Sequence, residues 1–264
     1  MTHRARKRFG QNFLVEPWII DQIISLINPH PGDNLVEIGP GRGALTWLLL
    51  AELGEMSAVE LDRDLVAYLN EEAPKHGKLK LYSEDVLNFD FNQLVQAERK
   101  LRVVGNLPYN ISTPLIFHLL DQLELIEDMY FMLQNEVVKR LAADPSCKAR
   151  GRLSVMVQAR CTVEKVLDVP PDCFDPQPKV DSAIVRLVPH GETQLSEDGW
   201  QQLERVVTQA FANRRKTLRN NLKELCSEQL LIDLAIDPSA RAETLEVTDF
   251  VRLAAQLSLQ AESE

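Results

Sequence analysis

The chain has 264 residues, 45% of them hydrophobic and 26% charged, with a formal net charge of -10. That length and apolar content suit one large domain, or one domain with a smaller companion, and exclude a disordered chain. The acidity argues against a uniformly basic surface, but not against local basic clusters. Cys147, Cys161, Cys173 and Cys226 form no CxxC pair, and the five histidines (3, 30, 76, 118, 190) form no ligand pattern. No zinc site or other metal is expected, and the thiols read as reduced ones in a cytosol. The start, MTHRARKRFGQNF, is basic but is followed by no apolar leader, and no stretch approaches the roughly 20 apolar residues of a membrane span. A soluble, cytoplasmic protein with no membrane partner is expected.

After a basic arm over 1–15, EPWIIDQIISLI carries Pro17 at a helix start and apolar residues at 19, 20, 23, 24 and 27, which predicts a core helix. Four short apolar runs follow: NLVEIG (34–39), MSAVEL (56–61), LKLYSED (79–85) and LRVVGN (101–106). Helix-length segments separate them, so they predict a parallel sheet with crossover helices, an α/β fold. DMYFMLQNEV (128–137), LSVMVQARCTVEKVLDV (153–169) and SAIVRLV (182–188) add strands, the last two antiparallel. Beyond PHGETQLSEDGW the pattern turns helical, through 197–213, 215–226 and 246–258. These readings place a domain boundary near 190, with a sheet domain over 1–190 and an all-helical one over 191–264.

The strand ends carry the chemistry. EIGPGRGA (37–44) follows the first strand of the sheet and opens a helix, the context a nucleotide-binding turn needs. As a pattern it satisfies both the dinucleotide fingerprint GxGxxA and a tighter GxGxG preceded by an acid. Glu60, 21 residues past Gly39, stands where a carboxylate accepts from ribose hydroxyls, and Asp85 ends the next strand along the same edge. Both acids also have a plain reading as solvated strand ends. The fourth strand ends in Asn106-Leu107-Pro108-Tyr109. This tetrapeptide resembles the [DNS]-P-P-[YFW] signature of S-adenosylmethionine enzymes that methylate exocyclic amines. The N6 lone pair of adenine is delocalised into the ring, so that amine attacks only when acceptors hold its hydrogens. The Asn106 amide oxygen and the Leu107 carbonyl are two acceptors, Pro108 stiffens the turn, and the Tyr109 ring offers a stacking face. A nicotinamide dehydrogenase would use the glycine turn but would leave this tetrapeptide without a purpose.

Taken together, GQNFL (10–14), EIGPGRGALT (37–46), ELDRDL (60–65), EDVL (84–87), GNLPYNISTPL (105–115), GRLSVM (151–156), VPPDCFDPQPKVDSAIVRL (169–187) and AFANRRKTLRN (210–220) resemble the ribosomal RNA adenine dimethyltransferases of the bacterial small-subunit (KsgA/RsmA) type. The resemblance spans nearly the whole chain. It implies a Rossmann-like S-adenosylmethionine-dependent methyltransferase sheet with a smaller helical RNA- or ribosome-binding domain. The implied reaction is N6,N6-dimethylation of two adjacent adenosines in the 3'-terminal hairpin of 16S rRNA, in the 30S particle or its precursor, by a monomer. It assigns Asn12, Leu14, Gly39, Glu60, Asp85 and Asn106 to the cofactor, with Gln11 shaping that site, and Asn106, Leu107, Tyr109 and Phe174 to the target adenine. Phe174 has two readings: a ring presented from the stiff Pro176-Gln177-Pro178 run as the second face of a base sandwich, or an anchor that pins the loop to the core. Asp175 and Gln177 depart from the smaller residues usual in this loop. An erythromycin-resistance type methylase of large-subunit rRNA shares the motifs, and a binding role as a subunit-assembly checkpoint is the alternative of a different class.

Lys and Arg cluster in RARKR (4–8), KRLAADPSCKARGR (139–152) and FANRRKTLRNNLK (211–223), while the last 41 residues hold nine acids against two basic residues. On a continuous helix Phe211, Leu218, Leu222 and Leu225 would share one stripe, and Arg215, Lys216, Arg219 and Lys223 the adjacent flank. That flank is the expected phosphate-binding surface, unless it is only a solvated face.

Overall fold

A computed structural model describes residues 12–96, 99–191 and 195–261; the arm at Arg4–Arg8 and Gln11 lie outside them. The elements run β1 (Phe13–Leu14), α1 (Pro17–Ile27), β2 (Asn34–Ile38), α2 (Thr46–Leu53), β3 (Glu55–Val59), α3 (Arg63–Glu72), β4 (Lys78–Tyr82), β5 (Leu101–Asn106), α4 (Ser112–Leu120), β6 (Ile126–Gln134), α5 (Asn135–Leu141), α6 (Arg152–Gln158), β7 (Cys161–Val169), β8 (Phe174–Asp175), β9 (Ser182–Pro189), α7 (Glu197–Ala210), α8 (Leu218–Leu222), α9 (Glu228–Asp233) and α10 (Val247–Ala261).

The described strands make a sheet in the order β4-β3-β2-β5-β6-β9-β7, beside a small β1-β8 ribbon. Pairs from β4 to β6 are parallel, and β9 runs antiparallel to β6. This is the α/β, Rossmann-like arrangement expected of the methyltransferase sheet. All five residues of β2 are buried, as a strand covered on both faces requires. From β2 the chain steps outward to β3 and β4, then returns to place β5 on the other side of β2. The strand order therefore reverses between β2 and β5, and in open α/β sheets ligands bind in the crevice at such a switch point.

Helix α1 forms where its stripe predicts, with Pro17 in its first turn and Ile19, Ile23 and Ile27 buried. Arg102 on β5 pins its end: the guanidinium donates to the Ile27 carbonyl (2.6 Å), to both oxygens of Asp128 (2.9 Å each) and to Asp33 (2.7 Å). A cation at a helix C-terminus complements the helix dipole.

Contacts divide the chain into two compact units: one holds the chain through Val138 with Glu164–Pro189, the other Lys139–Val163 with His190 onward. A single cut at 190 leaves 139–163 in the wrong unit. Residues 153–158, expected as a strand, form α6 instead. The Ser154 hydroxyl accepts from Gly151 N (3.0 Å) and donates to the Arg140 carbonyl, closing the helix start, and Leu153–Val157 are all buried. Burial on every side erased the helical period, and the alternating valines imitated a strand. Arg150 is fully buried and donates to the carbonyls of Ala143 (2.7 Å) and Leu245 (3.1 Å), fastening this segment within the second unit. There α7 packs against α6, α8 and α10. No helix among the described residues is long and apolar enough to cross a membrane.

Candidate active site at the carboxyl edge of the sheet

A cleft of about 200 Å³ opens at the switch point, lined by the turn after β2, the ends of β3 and β4, Asn12–Leu14 and Asn106–Ile111. The turn holds Gly39, Gly41 and Gly43 at φ of 66°, 59° and 84°, a region that side chains disfavour. Added Cβ atoms would meet the Phe13 ring at Gly41 (3.2 Å) and the Trp47 ring at Gly43 (2.2 Å). The turn is thus a floor of bare backbone, with the Phe13 ring lying against one side. Arg42 stacks its guanidinium 4.2 Å from the centre of that ring and reaches Asp175 at 3.7 Å. Asp175, a departure from the family pattern, therefore has a partner in the glycine turn, though an exposed pair contributes little.

The acids of the cleft are held by backbone. Glu60 accepts from Asp62 N (2.8 Å) and Gly41 N (3.3 Å); burial pushes its carboxyl up from the usual range against these hydrogen bonds. Asp85 accepts from Leu87 N through one oxygen (3.0 Å). Glu37 is buried beneath the turn and accepts from the Thr46 hydroxyl (2.6 Å), with its carboxyl pushed up to about 7 by burial.

At the end of β5 the tetrapeptide is fixed from several directions. Asn106 Nδ2 donates to the Asn12 carbonyl (3.1 Å). An acceptor at that point compels the amide to turn its nitrogen there and its oxygen the other way. Leu107 N donates to the Met132 carbonyl on β6 (3.2 Å), while no donor among the described residues takes the Leu107 carbonyl. The Tyr109 phenol lies 2.9 Å from the Ser182 hydroxyl, and burial pushes its pKa up, so the phenol stays neutral.

The structure brings Asn12, Leu14, Gly39, Glu60, Asp85, Asn106, Leu107 and Tyr109 to one cleft. Phe174 is the exception. It is 5% exposed, lies in the core with Leu14, Ile19 and Cys173, and pairs with Leu14 in the β1-β8 ribbon. Of its two readings the anchor is the one this packing realises, and the expectation of a ring already presented to the cleft is corrected. The helical flank is also corrected. Helix α7 stops at Ala210, and Arg215 and Lys216 fall in a turn before the short α8, so they share no helical face with Arg219 and Lys223. The buried Asn221 amide causes the break, donating to the carbonyls of Ala210 (2.7 Å) and Asn213 (3.1 Å). The four basic side chains remain exposed. Sequence reasoning missed the Asn12 carbonyl, Phe13, Arg42 and Ser182; only Ser182 left a signal, a hydroxyl at the head of the apolar run Ala183–Val185.

Two acceptors beside a stacking ring, next to a glycine floor with acids along its rim, make an arrangement able to engage an exocyclic amine without a metal. Among the described residues no group of three or more His, Cys, Asp or Glu is placed to hold one. A ribosomal RNA small subunit methyltransferase A from Nitrosococcus oceani is 55% identical over 253 residues, 96% of each chain. A solved dimethyladenosine transferase from Plasmodium falciparum superposes with a TM-score of 0.82 at 25% identity, covering 94% of this chain and 98% of its own. The solved 23S rRNA methyltransferase ErmE gives 0.74 at 25% identity, covering 93% and 99%. The family model described as ribosomal RNA adenine dimethylase matches residues 2–258, so the chain belongs to that family.

Proposed function

We infer that the chain transfers methyl groups from S-adenosylmethionine to N6 of two adjacent adenosines in the 3'-terminal hairpin of 16S rRNA, within the 30S subunit or its precursor, as a cytoplasmic monomer. The observation that carries the reading is the Asn106 amide, turned by the Asn12 carbonyl so that its oxygen is left for a substrate N–H.

The cleft fits the cofactor. Bare backbone at Gly39–Gly43 admits close approach, Glu60 would hold the ribose hydroxyls, and Asp85 would accept from the adenine amine through its second oxygen. Asn12 and Leu14 line the same cleft from the other side. When bound, S-adenosylmethionine supplies an electrophilic methyl group. The protein's part is to make the amine a nucleophile. Asn106 Oδ1 and the Leu107 carbonyl accept its two hydrogens, which draws the lone pair out of conjugation, and Tyr109 stacks on the flipped base. These acceptors are positioned before substrate arrives, so they need no reorganisation during transfer. In the second unit Arg215, Lys216, Arg219 and Lys223 would contact phosphates, which position RNA without reading its sequence.

Incubation of purified protein with 30S particles from a strain lacking this methylation, followed by mass mapping, should place dimethyladenosine at two adjacent positions near the 3' end of 16S rRNA. Modification of 23S rRNA and not of 30S particles would favour the reading that ErmE suggests. The 55% identity to a small-subunit enzyme, against 25% to ErmE, supports the first.

A further inference from the structure

Ser182 opens β9 opposite Gln134 of β6 and is fully buried. A hydroxyl at such a position costs stability unless it is bonded, and alanine would fill a buried strand position without that cost. Its partner is the Tyr109 phenol at 2.9 Å, contributed from 73 residues away. The tyrosine is held at both ends, because its carbonyl accepts from the Ser112 hydroxyl (3.2 Å) and its turn is tied to β6 through Leu107 N. A phenol O–H prefers the plane of its ring. A partner at the para position therefore fixes where the ring points and also selects its tilt.

We propose that Ser182 is a positioning residue for methyl transfer: its bond to the Tyr109 phenol sets the plane on which the target adenine stacks. This role rests on the dimethylase reading above. Stacking energy depends on offset and parallelism of the two rings, and transfer depends on the amine meeting two fixed acceptors. A ring free to swing would still stack the base, but less often with N6 in reach of Asn106.

The test uses the full chain and 30S particles lacking the modification, in single-turnover assays at saturating S-adenosylmethionine. Ser182→Ala and Tyr109→Phe remove the same bond from opposite ends. Each should slow transfer about three- to tenfold, the worth of one neutral hydrogen bond. The double variant should match the singles within about twofold, because coupled partners are not additive. Ser182→Thr should restore most of the rate, and affinity for S-adenosylmethionine should be unchanged throughout. A second readout is an RNA hairpin with 2-aminopurine at the target position. Binding should quench its fluorescence in wild type and less so in Ser182→Ala, at equal hairpin affinity. If Ser182→Ala fails to fold, Tyr109→Phe tests the bond with the strand intact. Multiplicative losses, or wild-type rate and quenching in Ser182→Ala, would overturn the proposal while leaving the dimethylase reading in place. Absence of any transfer by wild type would overturn that reading and this role with it.

Discussion

The Asn106 amide can be interrogated by Asn106→Asp, which keeps the shape of the side chain and exchanges its donor for a second acceptor. In the wild-type protein Nδ2 donates to the Asn12 carbonyl at 3.1 Å; in the variant a carboxylate oxygen would face that carbonyl oxygen instead. The lost neutral hydrogen bond costs about 0.5 to 1.5 kcal/mol, and a half-buried acceptor without a donor about 1 to 3 kcal/mol. At 1.36 kcal/mol per unit, roughly 2 to 4 kcal/mol raises the new carboxyl by about 1.5 to 3 units above its ordinary value near 3.9. Protonation repairs the defect, because the acid can then donate to Asn12 while its carbonyl oxygen accepts from the substrate amine. A raised acid is protonated below its pKa, so the variant should be most active on the acidic side and lose activity as pH rises through about 5.5 to 7. The assay is single-turnover transfer at saturating S-adenosylmethionine, expressed as the ratio of variant to wild type at each pH so that common effects cancel. Asn106→Ala should lose at least tenfold at every pH, of the order of 10² if the amide acts as a preorganised partner of the reacting group. A flat ratio for an active Asn106→Asp would refute the orienting role of Asn12. A ratio that climbs with pH would mean that the carboxylate acts as a base.

Glu60→Ala should weaken S-adenosylmethionine binding by calorimetry, and unchanged affinity would remove Glu60 from the ribose site. Tyr109→Ala should lose stacking worth roughly 1 to 3 kcal/mol, more than Tyr109→Phe loses; equal damage would mean that the ring does not stack. Glu37 holds a proton in the folded protein between its ordinary 4.5 and about 7 that the unfolded chain releases, so stability falls as pH rises through that window, by roughly 3 kcal/mol. Glu37→Gln, which keeps an acceptor for Thr46, should therefore raise Tm by several degrees at pH 8 and little at pH 5; equal Tm values at pH 8 would show that the buried charge is not costly. Replacing Arg215 and Lys216 singly by Ala should flatten the salt dependence of particle binding by about one unit of slope per lost phosphate contact. Arg219 and Lys223, already near Glu228 (3.7 Å) and Glu224 (3.4 Å), should change it less, and an unchanged slope in all four would mark a solvated face.

The strands β2 to β5 were legible as short apolar runs spaced by helix-length segments, and helix α1 by its buried stripe at Ile19, Ile23 and Ile27; the site was legible because loops at strand ends carry residue types that serve no packing purpose. What stayed hidden depended on partners distant in sequence. Residues 153–157 are all buried, so their hydrophobicity carried no helical phase. The break at 211–217 comes from one buried amide, Asn221, which in the sequence is one more polar residue of a basic stretch. Phe174 reads equally as anchor or stacking ring until the β1-β8 pairing turns it inward.

The same long-range dependence governs how the site assembles. The Asn106 amide takes its orientation from a backbone carbonyl 94 residues away, and the Tyr109 phenol meets a hydroxyl 73 residues away. Neither geometry exists until the sheet has closed through β9 and the segment beginning at Asn12 has paired with β8. That ribbon has only two residues in each strand, so burial of Leu14 and Phe174 in the core, and not the ladder alone, holds it in place. Arg42, resting on Phe13 and reaching Asp175, ties the glycine turn to both strands of the ribbon. The glycine turn and the Asn12 carbonyl that orients the Asn106 amide are therefore fixed by the same short ribbon.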